Sequence, residues 1–174
     1  MASEKGGFFV AELTNLESKL GEVVGLAMAA QDATQKVIRL ARDDGDGELV
    51  SSLERMQEEA KETEQRGTEV AGTFEGKKTA ILDEAREVKQ KAKQMMSTYL
   101  DQAADALDGY EFLTMAEAGE VGHWEILAPR DERAGKARVR ELADWAIPIQ
   151  RRHFEEARQA SLKLAAEEEP NEPS

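Results

Sequence analysis

The chain contains only two histidines, and each follows an oxygen-bearing side chain by three residues: Glu120-Val-Gly-His123 and Gln150-Arg-Arg-His153. On a helix, residues i and i+3 share a face, so each pair can aim an oxygen and an imidazole nitrogen at one point. Iron and manganese accept that mixture of ligands. A helical di-iron site uses a Glu-x-x-His on two helices and a single Glu on two others. The competing reading of either histidine is a core residue bonded to a carbonyl or carboxylate. Glu120 is harder to absorb in that way, because an unpaired buried carboxylate is expensive.

The first half of the chain offers further carboxylates less directly. Glu12 and Glu17 flank a Leu13/Leu16/Leu20 seam, Glu59 borders a Met56/Thr63 seam, and Glu62 points further outward. Glu62-Thr-Glu-Gln65 repeats the two-ligand spacing with glutamine in place of histidine. With 36 acidic residues in the chain, a flanking Glu commonly belongs to a solvated face, and no seam position of the second helix carries a carboxylate. The loop Asp43-Asp-Gly-Asp-Gly47 suggests calcium, but neither register fits. Counting from Asp43 puts Gly45 and Gly47 at ligand positions, and counting from Asp44 puts Arg55 at the twelfth. A turn with an Asp cap is the better reading.

Other chemistries are excluded more simply. There is no cysteine, so disulfides and thiolate sites are ruled out. A formal charge of −13 and a pI near 4.7 disfavour nucleic acid as a partner. No nucleophile elbow and no phosphate-binding glycine loop after a strand is present. No apolar run reaches membrane length, and residues 1–7 lack a signal-peptide hydrophobic region, so a cytoplasmic protein without membrane contact is expected. The basic residues Arg86, Lys89, Lys91 and Lys93 are diluted by Asp83, Glu84 and Glu87 and read as an exposed face.

The elements that must position these residues are helices. Aromatic residues make up 5% of the chain and prolines number four, while Ala, Glu, Leu, Arg and Lys dominate. Apolar positions alternating at spacings of three and four predict a first helix over 8–43, and Thr34 is the one polar member of its seam. A second seam runs from Leu49 to Phe74, with a small-residue middle at Ala60, Thr63 and Gly67. A third runs from Ile81 to Ala106 and stops at Asp108-Gly109, with Met95 and Met96 as core filler. A fourth helix is predicted over 110–127, ended before Pro129, and a fifth beginning after Asp131 and running to about 167, bent at Pro148. Trp124 and Trp145 read as packing residues. The expectation is one all-α domain over 8–167, a flexible stretch 1–7 and a disordered acidic tail 168–174.

Leu13-Thr-Asn-Leu-Glu-Ser-Lys-Leu20, Glu59-Ala-Lys-Glu-Thr-Glu-Gln65, the Gly76-Lys-Lys turn and Glu120-Val-Gly-His-Trp-Glu125 resemble the YciE/YciF-type ferritin-like stress proteins. The likeness spreads over nearly all of 8–165. The family's fourth-helix signature reads approximately Val-Glu-His-Tyr-Glu, so His123, Trp124 and Glu125 match by type. The resemblance implies a ferritin-like antiparallel four-helix bundle with one additional helix, commonly a homodimer. The wider superfamily often holds a di-iron or di-manganese centre with ferroxidase or oxidative chemistry. On this reading Glu17, Glu59 or Glu62, Glu120, His123 and His153 are the ligands, with Glu125 beside them. Gln65 and Gln150 depart from the pattern, and neutral ligands hold trivalent iron less tightly. The alternative is a metal-free bundle acting as an interaction or structural protein, with Glu120 and His123 as a buried pair. The metal reading requires the two imidazoles to meet at one interior point.

Overall fold

A computed structural model describes residues 11–43 and 45–171. It contains α1 (Asn15–Asp43), α2 (Gly47–Ala71), α3 (Lys78–Tyr99), α4 (Ala106–Ala134) and α5 (Ala137–Glu167). Among the described residues there is no strand, and no helix is long and apolar enough to cross a membrane. The expectations for residues 1–7 and for 172–174 lie outside the described residues.

Four of these helices surround a common interior. Val37 packs on Gly109 and Arg130 donates to the Asn15 carbonyl, so α1 and α4 run antiparallel. Lys163 pairs with Asp46 and Arg66 lies over the Trp145 ring, so α2 and α5 do the same. The hairpins α1–α2 and α4–α5 complete the bundle. Because α2 and α4 then point the same way, the link between them must travel the length of the bundle, and α3 is that link.

The path of α3 is set by two glycines. A Cβ on Gly21 would stand 2.7 Å from the Ile81 carbonyl oxygen, and one on Gly25 would stand 2.4 Å from that of Ala85. The Gly21-x-x-x-Gly25 step lets the two backbones meet, and Lys89 pairs with Asp32 further along at 3.4 Å. Only Ile81 and Ala85 of α3 are buried. The seam expected to run on to Ala106 leaves the interior after Ala85, with Met95 43% and Tyr99 58% exposed. Met95 is therefore not core filler.

Helix ends differ from the sequence expectation where caps override single residues. Helix α1 begins at Asn15 because Thr14 and Glu17 form a reciprocal cap: the Thr14 N–H donates to Glu17 Oε2 (2.8 Å) and the Glu17 N–H to the Thr14 hydroxyl (3.3 Å). Asp46 accepts from Glu48 and Leu49 at the start of α2, which is the Asp-cap reading of the acidic loop. Asp108 and Gly109 do not end α3. They sit in the first turn of α4, where Asp105 and Asp108 build a capping box. Helix α4 also continues through Pro129 and ends at Gly135, whose φ of 65° is the left-handed conformation glycine favours. Buried Asp131 then accepts the Lys136 N–H at 3.0 Å and pairs with Arg140 at 3.2 Å, fastening the start of α5. Asp131→Ala is expected to lower unfolding free energy by about 1 kcal/mol, measurable by urea denaturation.

The interior divides into three layers. One apolar cluster contains Leu20, Val23, Ile81, Trp124, Leu127, Val139 and Leu142. The other contains Val37, Ile38, Leu53, Met56, Tyr110, Leu113 and Ala157. Between them lie the buried polar residues Thr34, Thr63, Glu117, Glu120, Gln150 and His153. Thr34 and Thr63 are satisfied by their own helices, through hydroxyl bonds to Ala30 and Glu59 carbonyls at 2.7 and 2.8 Å. The other four are not.

Candidate buried acid–imidazole cluster

Helices α4 and α5 supply the centre of the polar layer. Leu113, Glu117, Glu120, Trp124, Leu127 and Asp131 follow one another at four- and three-residue steps and are all buried. On α5 the corresponding row is Ala146, Gln150, His153 and Ala157. Helix α2 adds Glu59 from the rim, with 22% of its side chain exposed. Helix α1 presents Ala27, Ala30 and Thr34 at its buried middle, so it brings no carboxylate.

His153 organises the contacts. Its Nε2 lies 2.6 Å from Glu59 Oε2, and its Nδ1 lies 3.7 Å from Glu117 Oε2. Burial lowers the His153 pKa against the opposing pull of Glu59, so the ring is neutral at pH 7. Burial also works to raise the Glu59 pKa, but hydrogen bonds from His153 and Arg152 outweigh it and the net shift is downward. An ionised Glu59 can only accept, which puts the ring's one proton on Nε2. The Nδ1 lone pair is then left facing Glu117.

Glu117 and Glu120 are 2% and 4% exposed and are pushed the opposite way. Burial raises Glu117 well above the usual carboxylate range, helped by the charge of Glu120, and burial raises Glu120 to about 8. Glu117 Oε2, Glu120 Oε2, Trp124 Nε1 and both amide atoms of Gln150 are buried without a hydrogen-bond partner. Each orphan atom costs on the order of 1–3 kcal/mol. Chemically the set offers two carboxyls, an amide and an imidazole lone pair. Among the described residues, however, no three His, Asp or Glu side chains stand close enough together to hold a metal ion as they are.

The other expected ligands lie elsewhere. Glu17 is spent on the cap of α1. Glu62 pairs with Arg66 at 2.7 Å on the exposed face of α2. Glu125 pairs with Arg151, also outside. The His123 side chain is 40% exposed, and its Nδ1 lies 3.1 Å from Glu22 and 3.2 Å from Lys19. It lies six positions after Glu117, a rise of about 9 Å along the helix. The two imidazoles therefore share no partner: one stands at the α1–α4 rim and the other in the polar layer. The expected Glu120–His123 pair does not form either. Glu117 is the residue that sequence reasoning missed, although its one-turn offset from Glu120 and Leu113 marks the same face.

Among the described residues, fold and cluster define an all-helical arrangement of five helices with a buried acid–imidazole layer. No family model, no curated protein and no solved structure matches the chain.

Proposed function

We propose that the chain is a ferritin-like bundle that binds a single iron or manganese ion in its polar layer, held by Glu117, Glu120 and His153 Nδ1. The observation that carries this reading is the set of orphaned polar atoms on Glu117, Glu120 and Gln150. A cation that draws both carboxylates toward Nδ1 would satisfy them together, and Gln150 Oε1 can join. Glu59 then orients the imidazole through Nε2, the usual carboxylate–histidine support of a metal ligand. The donor set suits one ion and not two, since α1 adds no carboxylate and His123 stands apart. Two antiparallel hairpins joined by one long crossover are the ferritin-like connectivity, and this supports the resemblance. A bound ferrous or manganous ion would supply one-electron redox chemistry, the setting in which stress proteins of this kind act.

A second reading is favoured by the absence of a ready three-ligand arrangement among the described residues. On it, the chain is a metal-free structural or interaction bundle whose protonated Glu117 faces His153 Nδ1 at 3.7 Å. Elemental analysis of purified protein, followed by anaerobic titration with Fe(II) and Mn(II), separates the two. The metal reading expects close to one ion per chain, lost in Glu120→Gln and kept in His123→Ala. Iron, manganese and zinc all near zero, with no uptake on titration, would leave the structural reading.

A further inference from the structure

Helix α3 diverges from the bundle after Ala85 and leaves a cavity of about 180 Å³ between α1, α3 and α4. Its walls are mostly apolar, with Ala29 and Ala33 from α1, Met95 and Met96 from α3, and Phe112 and Met115 from α4, and Asp32, Lys93 and His123 also line it. Gly119 forms part of the α4 wall, and a Cβ placed there would meet nothing within 4 Å. Glu117 and Glu120 line the same cavity, although the orphaned Oε2 of each is itself inaccessible.

We infer that this cavity binds a small hydroxylated apolar molecule, a phenol or short alcohol, with its hydroxyl on the carboxyl oxygens of Glu117 and Glu120. Size points to this class, since a cavity of roughly 150 Å³ accepts a benzene ring. Polarity points to the head group. Most of the wall is hydrocarbon, so a ligand with polar groups all round would leave several of them unpaired. A hydroxyl both donates and accepts, and it satisfies a carboxyl oxygen in either protonation state. The site shares its carboxyls with the proposed metal centre but does not depend on the ion.

Calorimetric titration of chelator-treated protein with phenol and with toluene tests the assignment without involving metal. Saturable one-to-one binding of phenol, about tenfold tighter than toluene, is expected. Gly119→Leu should fill the cavity and abolish phenol binding while its melting temperature stays at or above that of the wild type. Glu120→Met should bring phenol down to the affinity of toluene. Absence of saturable phenol binding, equal affinities for phenol and toluene in the wild type, or undiminished binding by the folded Gly119→Leu variant would each overturn the proposal. Metal stoichiometry is measured separately, so failure of either proposal leaves the other standing.

Discussion

Metal-free wild-type protein should lose stability steadily as the pH rises from 6.5 to 8, and the double variant Glu117→Gln/Glu120→Gln should not. Both carboxyls have folded pKa values above the ordinary 4.5, with Glu120 raised to about 8. Their contribution is complete below pH 4.5, where both folded and unfolded chains are protonated. It is lost as the pH climbs toward the folded values, because the unfolded chain releases protons that the folded chain retains. The slope is at most about 1.4 kcal/mol per pH unit for each carboxyl that stays protonated in the folded chain, or about 3–6 °C in melting temperature for a chain of this size, and the share from Glu120 halves by about pH 8. His153 and Glu59 act in the opposite sense, since their folded values are lowered and their contributions fade toward acid. The ordinary value for His153 is 6.5, so its opposing contribution to the slope fades as the pH rises above that value and the buried carboxyls come to dominate. Added Fe(II) or Mn(II) should reverse it in the wild type, because ligation requires the deprotonated forms. Thermal melts across this window, with chelator and with metal, read all three effects. A flat wild-type profile in chelator would mean that the carboxyls are not held neutral.

The second large effect concerns the crossover helix. Gly25→Ala is expected to cost about 2–3 kcal/mol, even though alanine is the better helix former. Its methyl group would fall 2.4 Å from the Ala85 carbonyl oxygen and 2.8 Å from Val88 Cβ, and a backbone atom cannot rotate aside as a side chain can. Helix α3 must move, and with it the burial of Ile81 and Ala85. Gly119→Ala is the matched control: the same substitution on an open wall should add up to about 1 kcal/mol. Opposite signs by urea denaturation would establish the close approach of α1 and α3, whereas two stabilising substitutions would refute it.

The contrast shows which parts of the structure were legible beforehand. Apolar spacing placed five helices in order and located the α1 and α2 seams, because bundle interiors impose a 3.6-residue period. It failed along α3, whose seam looks continuous from Ile81 to Tyr99 although only the part beside Gly21 and Gly25 is buried. Glycines within a helix register as weak propensity, and nothing in one sequence says that another backbone lies against them. Pro129 reads as a terminus in the sequence, yet Gly135 and Asp131 outweigh it. At the site, Glu120 and His153 were correctly set inward, whereas His123 was not. The buried row of α4 passes from Glu120 to Trp124, and His123 stands about 100° of helical turn away from Trp124. Glu117 escaped notice because a carboxylate at core spacing reads as a break in an apolar pattern. The partnership of Glu59 with His153 depends on how α2 meets α5, which spacing within one helix does not contain.

The direct test of the central proposal is a crystal grown with Mn(II) or Fe(II), with anomalous scattering recorded at the metal's absorption edge. One peak per chain is expected in the polar layer, bonded to His153 Nδ1 and to oxygens of Glu117 and Glu120. A map without density there, or with its peak at His123 and Glu22, would contradict it.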